Sequence, residues 1–144
     1  DFVQGLGDDA VEKGATSVIG NKRERNLISP TLLDHVTEDM KVAWEEPFGP
    51  ILPIIRVSSD EQAIEIANKS EFGLQASVFT KDINKAFAIA NKIETGSVQI
   101  NGRTERGPDH FPFIGVKGSG MGAQGIRKSL ESMTREKVTV LNLV

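Results

Sequence analysis

Two segments near the middle of the sequence each join an amphipathic helix to a strand, and this alternation restricts the fold more than any other feature. Ser59 and Gln62 form a capping-box pattern ahead of the first helix, and Asp82 can cap the second. Strands are predicted after the helices, at Gln75–Phe79 and Ser97–Ile100. Strands that alternate with helices predict an α/β fold with a largely parallel sheet and flanking helices.

The two segments also look alike, with AIEIANKSEFG at 63–73 and AFAIANKIETG at 86–96. The second helix has apolar residues at helical spacing, which are Ile83, Ala86, Phe87, Ala90 and Ile93. Gly96 suits the position just past its end. An internal repeat is one explanation of the likeness, and shared packing and capping demands are the other. Two units are too few for a solenoid.

The other predicted elements are shorter. They are a helix over 8–13 that ends at Gly14, strands at Thr16–Ile19, Leu27–Ile28, Thr31–Val36 and Ile51–Val57, a helix at Ile126–Met133 and a terminal strand at Glu136–Val144. Pro53 restricts its strand to a sheet edge or a bulge. The Gly- and Pro-rich stretch from Asn101 to Gln124 is expected to be an irregular functional loop.

The composition excludes several classes of function. A chain of 144 residues, 38% hydrophobic and 26% charged, is typical of one soluble globular domain. A net charge of −3 argues against nucleic acid as a partner, and no apolar run is long enough to span a membrane. With no cysteine and two histidines, we expect no disulfide, no thiol nucleophile and no metal site.

The start of the chain suggests where it belongs. It begins DFVQGLGDD, without a methionine and without the pattern of a signal peptide. We therefore expect a cytoplasmic protein, of which this chain is one piece.

The stretch WEEPFGP at 44–50 places two carboxylates beside an aromatic ring. Pro47 and Pro50 exclude a helix and favour an extended backbone before them. In an extended segment the side chains of Glu46 and Phe48 leave the same face. Spacing alone leaves two interpretations open, namely a solvated acid beside a core phenylalanine, or a binding pair.

Two other motifs are poor guides to function. GMGAQG at 120–125 matches the dinucleotide-binding pattern, but no apolar strand precedes it and the remaining chain is too short for a complete βαβ unit. GSG at 118–120 lacks the strand–turn–helix setting of a serine hydrolase.

Four segments agree in order and spacing with one family. They are WEEPFGP at 44–50, EFGLQASVFT at 71–80, GSVQIN at 96–101 and FPFIGVKGSGMG at 111–122. Together they resemble the C-terminal part of an aldehyde dehydrogenase, across essentially the whole chain. The loop NGRTERGPDHFPF at 101–113 and the N-terminal stretch resemble, more narrowly, the non-phosphorylating NADP-dependent glyceraldehyde-3-phosphate dehydrogenases of bacteria.

The resemblance implies a role for several residues. Glu46 would contact the nicotinamide ribose hydroxyls of NADP, and Phe48 would pack beside the nicotinamide. Arg106 and Gly107, in the loop that Asn101 opens, would contact a phosphorylated aldehyde. Arg103 is a second candidate for the phosphate, because a guanidinium fork suits a dianion.

The resemblance also implies what lies outside the chain. Residues 1–135 would form the C-terminal part of the catalytic domain, and 136–144 a strand that joins subunits into a homotetramer. The nucleophilic cysteine, the general base and the Rossmann domain precede the matched positions, so no catalytic residue is assigned and the chain alone is predicted to be inactive. The complete enzyme would convert glyceraldehyde 3-phosphate to 3-phosphoglycerate through a cysteine thioester.

Some positions depart from the family pattern, and two other functions remain open. Many relatives carry Gly-Gly where Ile114-Gly115 stands and Arg-Glu where Ala123-Gln124 stands. The alternatives are a dehydrogenase for another aldehyde, such as a semialdehyde, and a non-catalytic module for folding or oligomerisation.

Overall fold

The computed structural model describes residues 1–143, which divide into two units, Asp1–Ile66 and the residues from Ala67 onward. The first unit contains helix α1 (Phe2–Glu12), strands β1 (Thr16–Ile19), β2 (Arg23–Glu24), β3 (Leu27–Ile28), β4 (Thr31–Asp34) and β5 (Ile51–Pro53), and a 3₁₀ turn at Lys41–Ala43. Helix α2 (Asp60–Lys69) begins in this unit and ends in the next.

The second unit alternates short strands with helices. Its elements are β6 (Phe72–Gly73), β7 (Gln75–Val78), α3 (Ile83–Ala90), β8 (Ser97–Ile100), β9 (Phe113–Ile114), β10 (Val116–Lys117), β11 (Ala123–Gln124) and α4 (Ile126–Ser132). The predicted irregular loop thus contains three short strands, β9 to β11.

The α/β class is confirmed, but the strands form several small mixed sheets. In the first unit the order is β1-β4-β5, with β1 antiparallel and β5 parallel to β4, and β2 and β3 form a hairpin. In the second, β7 and β8 are parallel, while β6 pairs with β10 and β9 with β11 in antiparallel fashion. A single largely parallel sheet was the wrong expectation. Parallel pairing needs a long crossover, which α3 provides between β7 and β8.

The first unit has a core of its own. Leu6 and Ala10, one helical turn apart on α1, are buried with Leu33 of β4. Met40 and Val42 close the same cluster around the 3₁₀ turn. Burying a leucine or methionine side chain contributes about 1.5–3 kcal/mol. This core therefore holds α1 and β4 as a support for the segment that follows residue 43.

The strands of the first unit end earlier than predicted. β4 stops at Asp34 rather than Val36, because His35 adopts a left-handed backbone with φ of 58°. β5 stops at Pro53 rather than Val57, and it lies at the edge of its sheet, as the proline predicted. α1 ends where expected, before Gly14 with φ of 104°, but begins six residues earlier than the predicted start, at Phe2.

The helix caps agree with the sequence, with two corrections. The carboxylate of Asp82 accepts hydrogen bonds from the backbone N–H groups of Asn84 and Lys85. The predicted capping box pairs Gln62 with Ser59. The side chain of Gln62 instead accepts from the N–H of Ser58, one residue earlier. α3 ends at Ala90, so Gly96 does not follow the helix. A Cβ at Gly96 would instead collide with the carbonyl oxygen of Ile114.

The terminal strand predicted at Glu136–Val144 does not form within the chain. Residues 136–143 are exposed and irregular, and Val144 lies outside the described residues. A β-strand requires a hydrogen-bonded neighbour, so pairing with another subunit stays a prediction. In residues 1–143, no helix has the length and apolarity to cross a bilayer.

Candidate functional site

Residues 46–50, called here the strap, turn sharply at Pro47. The N–H of Phe48 donates to the carbonyl of Glu46 at 3.1 Å, which closes a three-residue turn. The extended backbone predicted from the prolines is therefore wrong at this point. Proline fixes φ near −65°, a value that extended and γ-turn conformations share, so it leaves ψ undecided.

Both the sheet and α1 hold the C-terminal end of the strap. The N–H of Thr31, at the start of β4, donates to the carbonyl of Pro50 at 2.8 Å. Gly49 lies directly against α1, where an added Cβ would be 2.7 Å from a methyl carbon of Val3. The glycine thus permits a close approach that any side chain would prevent.

The strap presents Glu46 and Phe48 to solvent. Phe48 is 86% exposed, so it does not belong to the core that the described residues form. Glu46 is also exposed, and among the described residues its carboxylate takes part in no hydrogen bond or ion pair. Its oxygens are free to accept bonds from two hydroxyl groups, and the ring offers a free apolar face. The pair therefore displays a free carboxylate acceptor beside an exposed ring.

Residues 101–113, for which the sequence predicts substrate binding and which are called here the substrate loop, begin with a fixed turn. Asn101 has φ of 54°, a conformation that asparagine tolerates better than most residues. Its side-chain amide accepts from the N–H of Thr80 and donates to the carbonyl of Thr80, each at 2.9 Å. The start of the loop, directly after β8, is therefore joined to the segment that follows β7.

Two side chains of β7 bond to the same loop. Ser77 Oγ donates to the carbonyl of Gly102 at 2.8 Å, and Gln75 Nε2 donates to the carbonyl of Glu105 at 2.8 Å. Sequence analysis missed both residues. The available signal was their alternation in QASV, which places two polar side chains on one face of a strand.

Arg106 is held between a carboxylate and a ring. Its Nη2 lies 3.2 Å from Asp109 Oδ1, and its guanidinium carbon lies 5.7 Å from the centroid of the Phe113 ring. The side chain remains 52% exposed and lines a cavity of about 60 Å³ with Gly107 and Phe111. A guanidinium that stacks on a ring and stays accessible can bind a phosphate with its outer edge.

Arg103 lies in a different setting from Arg106. Its guanidinium pairs with the carboxylate of Glu105, with Nη2 2.7 Å and Nε 2.8 Å from Oε2. This pair neutralises the charge locally, and Arg103 is not among the residues that line the cavity. Arg103 is therefore the weaker of the two predicted phosphate ligands.

The sequence as a whole matches a known family. The model of the aldehyde dehydrogenase family matches residues 1–139. The chain belongs to the aldehyde dehydrogenase family. Within the described residues of this aldehyde dehydrogenase chain, no group of three or more His, Cys, Asp or Glu side chains could hold a metal ion.

The relatives of this aldehyde dehydrogenase chain are considerably longer than the chain itself. It is 61% identical to an NADP-dependent glyceraldehyde-3-phosphate dehydrogenase of Streptococcus equinus and 59% identical to one of Pisum sativum, over 99% of its own length in both cases. It spans 30% and 29% of those relatives. The crystal structure of the enzyme from Bacillus halodurans C-125, complexed with NADP, matches with a TM-score of 0.93 and 65% identity, over 99% of this chain and 30% of that one.

Proposed function

We propose that this chain forms part of a cytoplasmic, homo-oligomeric, NADP-dependent and non-phosphorylating glyceraldehyde-3-phosphate dehydrogenase. The observation that carries the proposal is the exposed Glu46–Phe48 pair on a strap anchored to both β4 and α1. The high identity to dehydrogenases of this specificity supports it. Arg106, accessible on the substrate loop, supplies the cation that a phosphorylated aldehyde requires.

Glu46 and Phe48 act on the cofactor side of the reaction. The Glu46 carboxylate accepts hydrogen bonds from the two ribose hydroxyls and so fixes the rotation of the sugar. The Phe48 ring covers an apolar face and excludes water from it. Bound NADP supplies the acceptor for the hydride that leaves the aldehyde carbon.

Arg106 acts on the substrate side. Its partner in the free chain is Asp109, in an exposed pair that contributes little free energy. A phosphate dianion carries more charge than this carboxylate and matches the guanidinium fork with two oxygens, so it displaces Asp109. Phe113 keeps the guanidinium stacked as the partner changes.

An assay of the complete dehydrogenase tests this function. NADPH formation is measured with glyceraldehyde 3-phosphate in buffer without inorganic phosphate, and the product is identified. We expect NADPH and 3-phosphoglycerate in equal amounts. A requirement for inorganic phosphate contradicts the proposal, and a higher kcat/KM for succinate semialdehyde favours a semialdehyde dehydrogenase instead.

The 144-residue chain alone is the matched control. It has no cysteine, and neither serine nor lysine forms the thioester that the reaction needs. We expect it to form no NADPH. If the complete protein also forms no NADPH with any of the aldehydes, the alternative of a non-catalytic module is favoured.

A further inference from the structure

We infer that Gln75 and Ser77 are positioning residues that hold the backbone of the substrate loop and thereby set the place of Arg106. This inference rests on the function proposed above. Neither residue touches the substrate in this account, since each acts through a carbonyl group of the loop.

The geometry of β7 places both donors towards the same loop. Gln75 and Ser77 are two residues apart on a strand, so their side chains leave one face. Ser77 reaches the carbonyl of Gly102 and Gln75 that of Glu105, both at 2.8 Å. The strand thus holds the loop near its start and again at the residue before Arg106.

The Gln75 amide can satisfy its bonds in only one orientation. A carbonyl oxygen needs a donor, so the nitrogen and not the oxygen of the amide must face Glu105. The same nitrogen also donates to Ser97 Oγ, 3.2 Å away, and Ser97 is the direct neighbour of Gln75 in the parallel β7–β8 register. The bond to Ser97 on β8 therefore orients the Gln75 amide nitrogen independently of the loop.

The loop has few other backbone restraints. Among the described residues, no backbone–backbone hydrogen bond involves residues 102–107. The restraints on Arg106 beyond its own backbone are the exposed pair with Asp109 and the stacking on Phe113. The two bonds from β7 are consequently the principal ties of this backbone to the rigid part of the unit.

Limited trypsin digestion of the complete dehydrogenase tests the anchor without reference to activity. Trypsin cleaves after Arg103 and Arg106, whose side chains are exposed. Gln75→Met keeps the length of the side chain but removes the donor, and Ser77→Ala removes only a hydroxyl. We expect cleavage at these two sites to become about 3- to 10-fold faster in either variant, which corresponds to the loss of one neutral hydrogen bond.

Two further variants serve as controls. Gln99→Met makes the same chemical change on the neighbouring strand β8, where the described residues show no hydrogen bond from the Gln99 side chain. Ser77→Thr keeps the hydroxyl. Both should be cleaved at the rate of the unmodified protein. Cleavage after Arg103 and Arg106 that is unchanged in Gln75→Met and Ser77→Ala overturns the inference.

Kinetics then separate positioning of Arg106 from general support of the fold. Gln75→Met should raise KM for glyceraldehyde 3-phosphate by about 3- to 10-fold, with little change for unphosphorylated glyceraldehyde. In an Arg106→Ala background, the same substitution should have no further effect on KM, because the two residues act in one chain of contacts.

The outcomes distinguish this inference from the proposed function. Equal KM changes for both aldehydes, or additive effects with Arg106→Ala, overturn the positioning role. If the unmodified protein does not oxidise glyceraldehyde 3-phosphate at all, the proposed function fails together with the link to substrate. The trypsin result still decides whether β7 anchors the loop.

Discussion

Arg106 is the proposed phosphate ligand of the substrate loop, and its neighbours determine its orientation. Asp109 pairs with one nitrogen of the guanidinium, and the guanidinium carbon lies 5.7 Å from the centroid of the Phe113 ring. Gln75 holds the peptide group immediately before it. A single cationic side chain is thus oriented by an acid, a ring and a neighbouring strand, and under the proposed function all three contribute to phosphate specificity.

Substitution of Arg106 in the complete enzyme tests the phosphate contact. A charged hydrogen bond contributes about 1.5–3 kcal/mol, so Arg106→Ala should lower kcat/KM for glyceraldehyde 3-phosphate by about 10- to 100-fold, mainly through KM. The loss should nearly vanish for unphosphorylated glyceraldehyde, which has no dianion. Arg106→Lys should recover only part of the activity, because a point charge cannot reproduce the fork. Equal losses on both aldehydes would assign Arg106 to the fold of the loop.

At the scale of the elements, Asp34 and Arg56 join the end of β4 to the segment that follows β5. Arg56 donates from Nε and Nη2 to the two carboxylate oxygens of Asp34, at 2.9 and 2.6 Å. This pairing is the main reason that the pKa of Asp34 falls to about 2, with a further contribution from the backbone N–H of His35 and against the opposing effect of desolvation. The fork ties the end of the central strand of the sheet to the segment after the edge strand.

The lowered pKa of Asp34 predicts how stability varies with acid. Because the folded-state pKa lies below the ordinary value of 3.8, the contribution is fully present above 3.8 and is lost as the pH falls through about 2. An NMR titration of the Asp34 carboxyl should have its midpoint near 2, and Arg56→Ala should move it upward. A midpoint near the ordinary value in the unmodified protein would show that the fork does not persist in solution.

Local chemistry made some elements predictable from sequence, while long-range contacts hid others. The cap at Asp82 and the glycine after α1 depend on residues within one helical turn, and both were predicted correctly. The end of β4 depends on the left-handed conformation of His35, which no neighbouring residue signals. The role of Gly96 depends on Ile114, eighteen residues away.

In the candidate site, too, features set by neighbouring residues were predictable and features set by distant contacts were not. The strap was recognisable from its two prolines. The family resemblance pointed to Glu46 and Phe48, and their role in cofactor binding stays a prediction. Their exposure could not be derived from spacing, because it depends on the packing of Gly49 against α1. Gln75 and Ser77 were missed because their partners are carbonyl groups, which leave no trace in a side-chain pattern.

For the whole molecule, the tail after α4 is the clearest sign of a larger assembly. Val138, Val140, Leu141 and Leu143 are each at least 74% exposed. An alternating apolar segment without a neighbour is a template for pairing with another sheet. We predict that deletion of residues 138–144 from the complete enzyme releases subunits, as measured by sedimentation velocity. An unchanged sedimentation profile would refute a role of the tail in assembly.

The dissociation constant of NADP tests the proposal that the strap binds the cofactor. Glu46→Ala in the complete enzyme should weaken NADP binding by about 10- to 100-fold, since it removes a charged acceptor of two hydroxyl groups. Glu45→Ala is the matched control, because it removes the adjacent carboxylate from the same segment. We expect a large increase in Kd for Glu46→Ala and none for Glu45→Ala, as measured by titration calorimetry. Equal Kd values for the two variants would contradict the proposal.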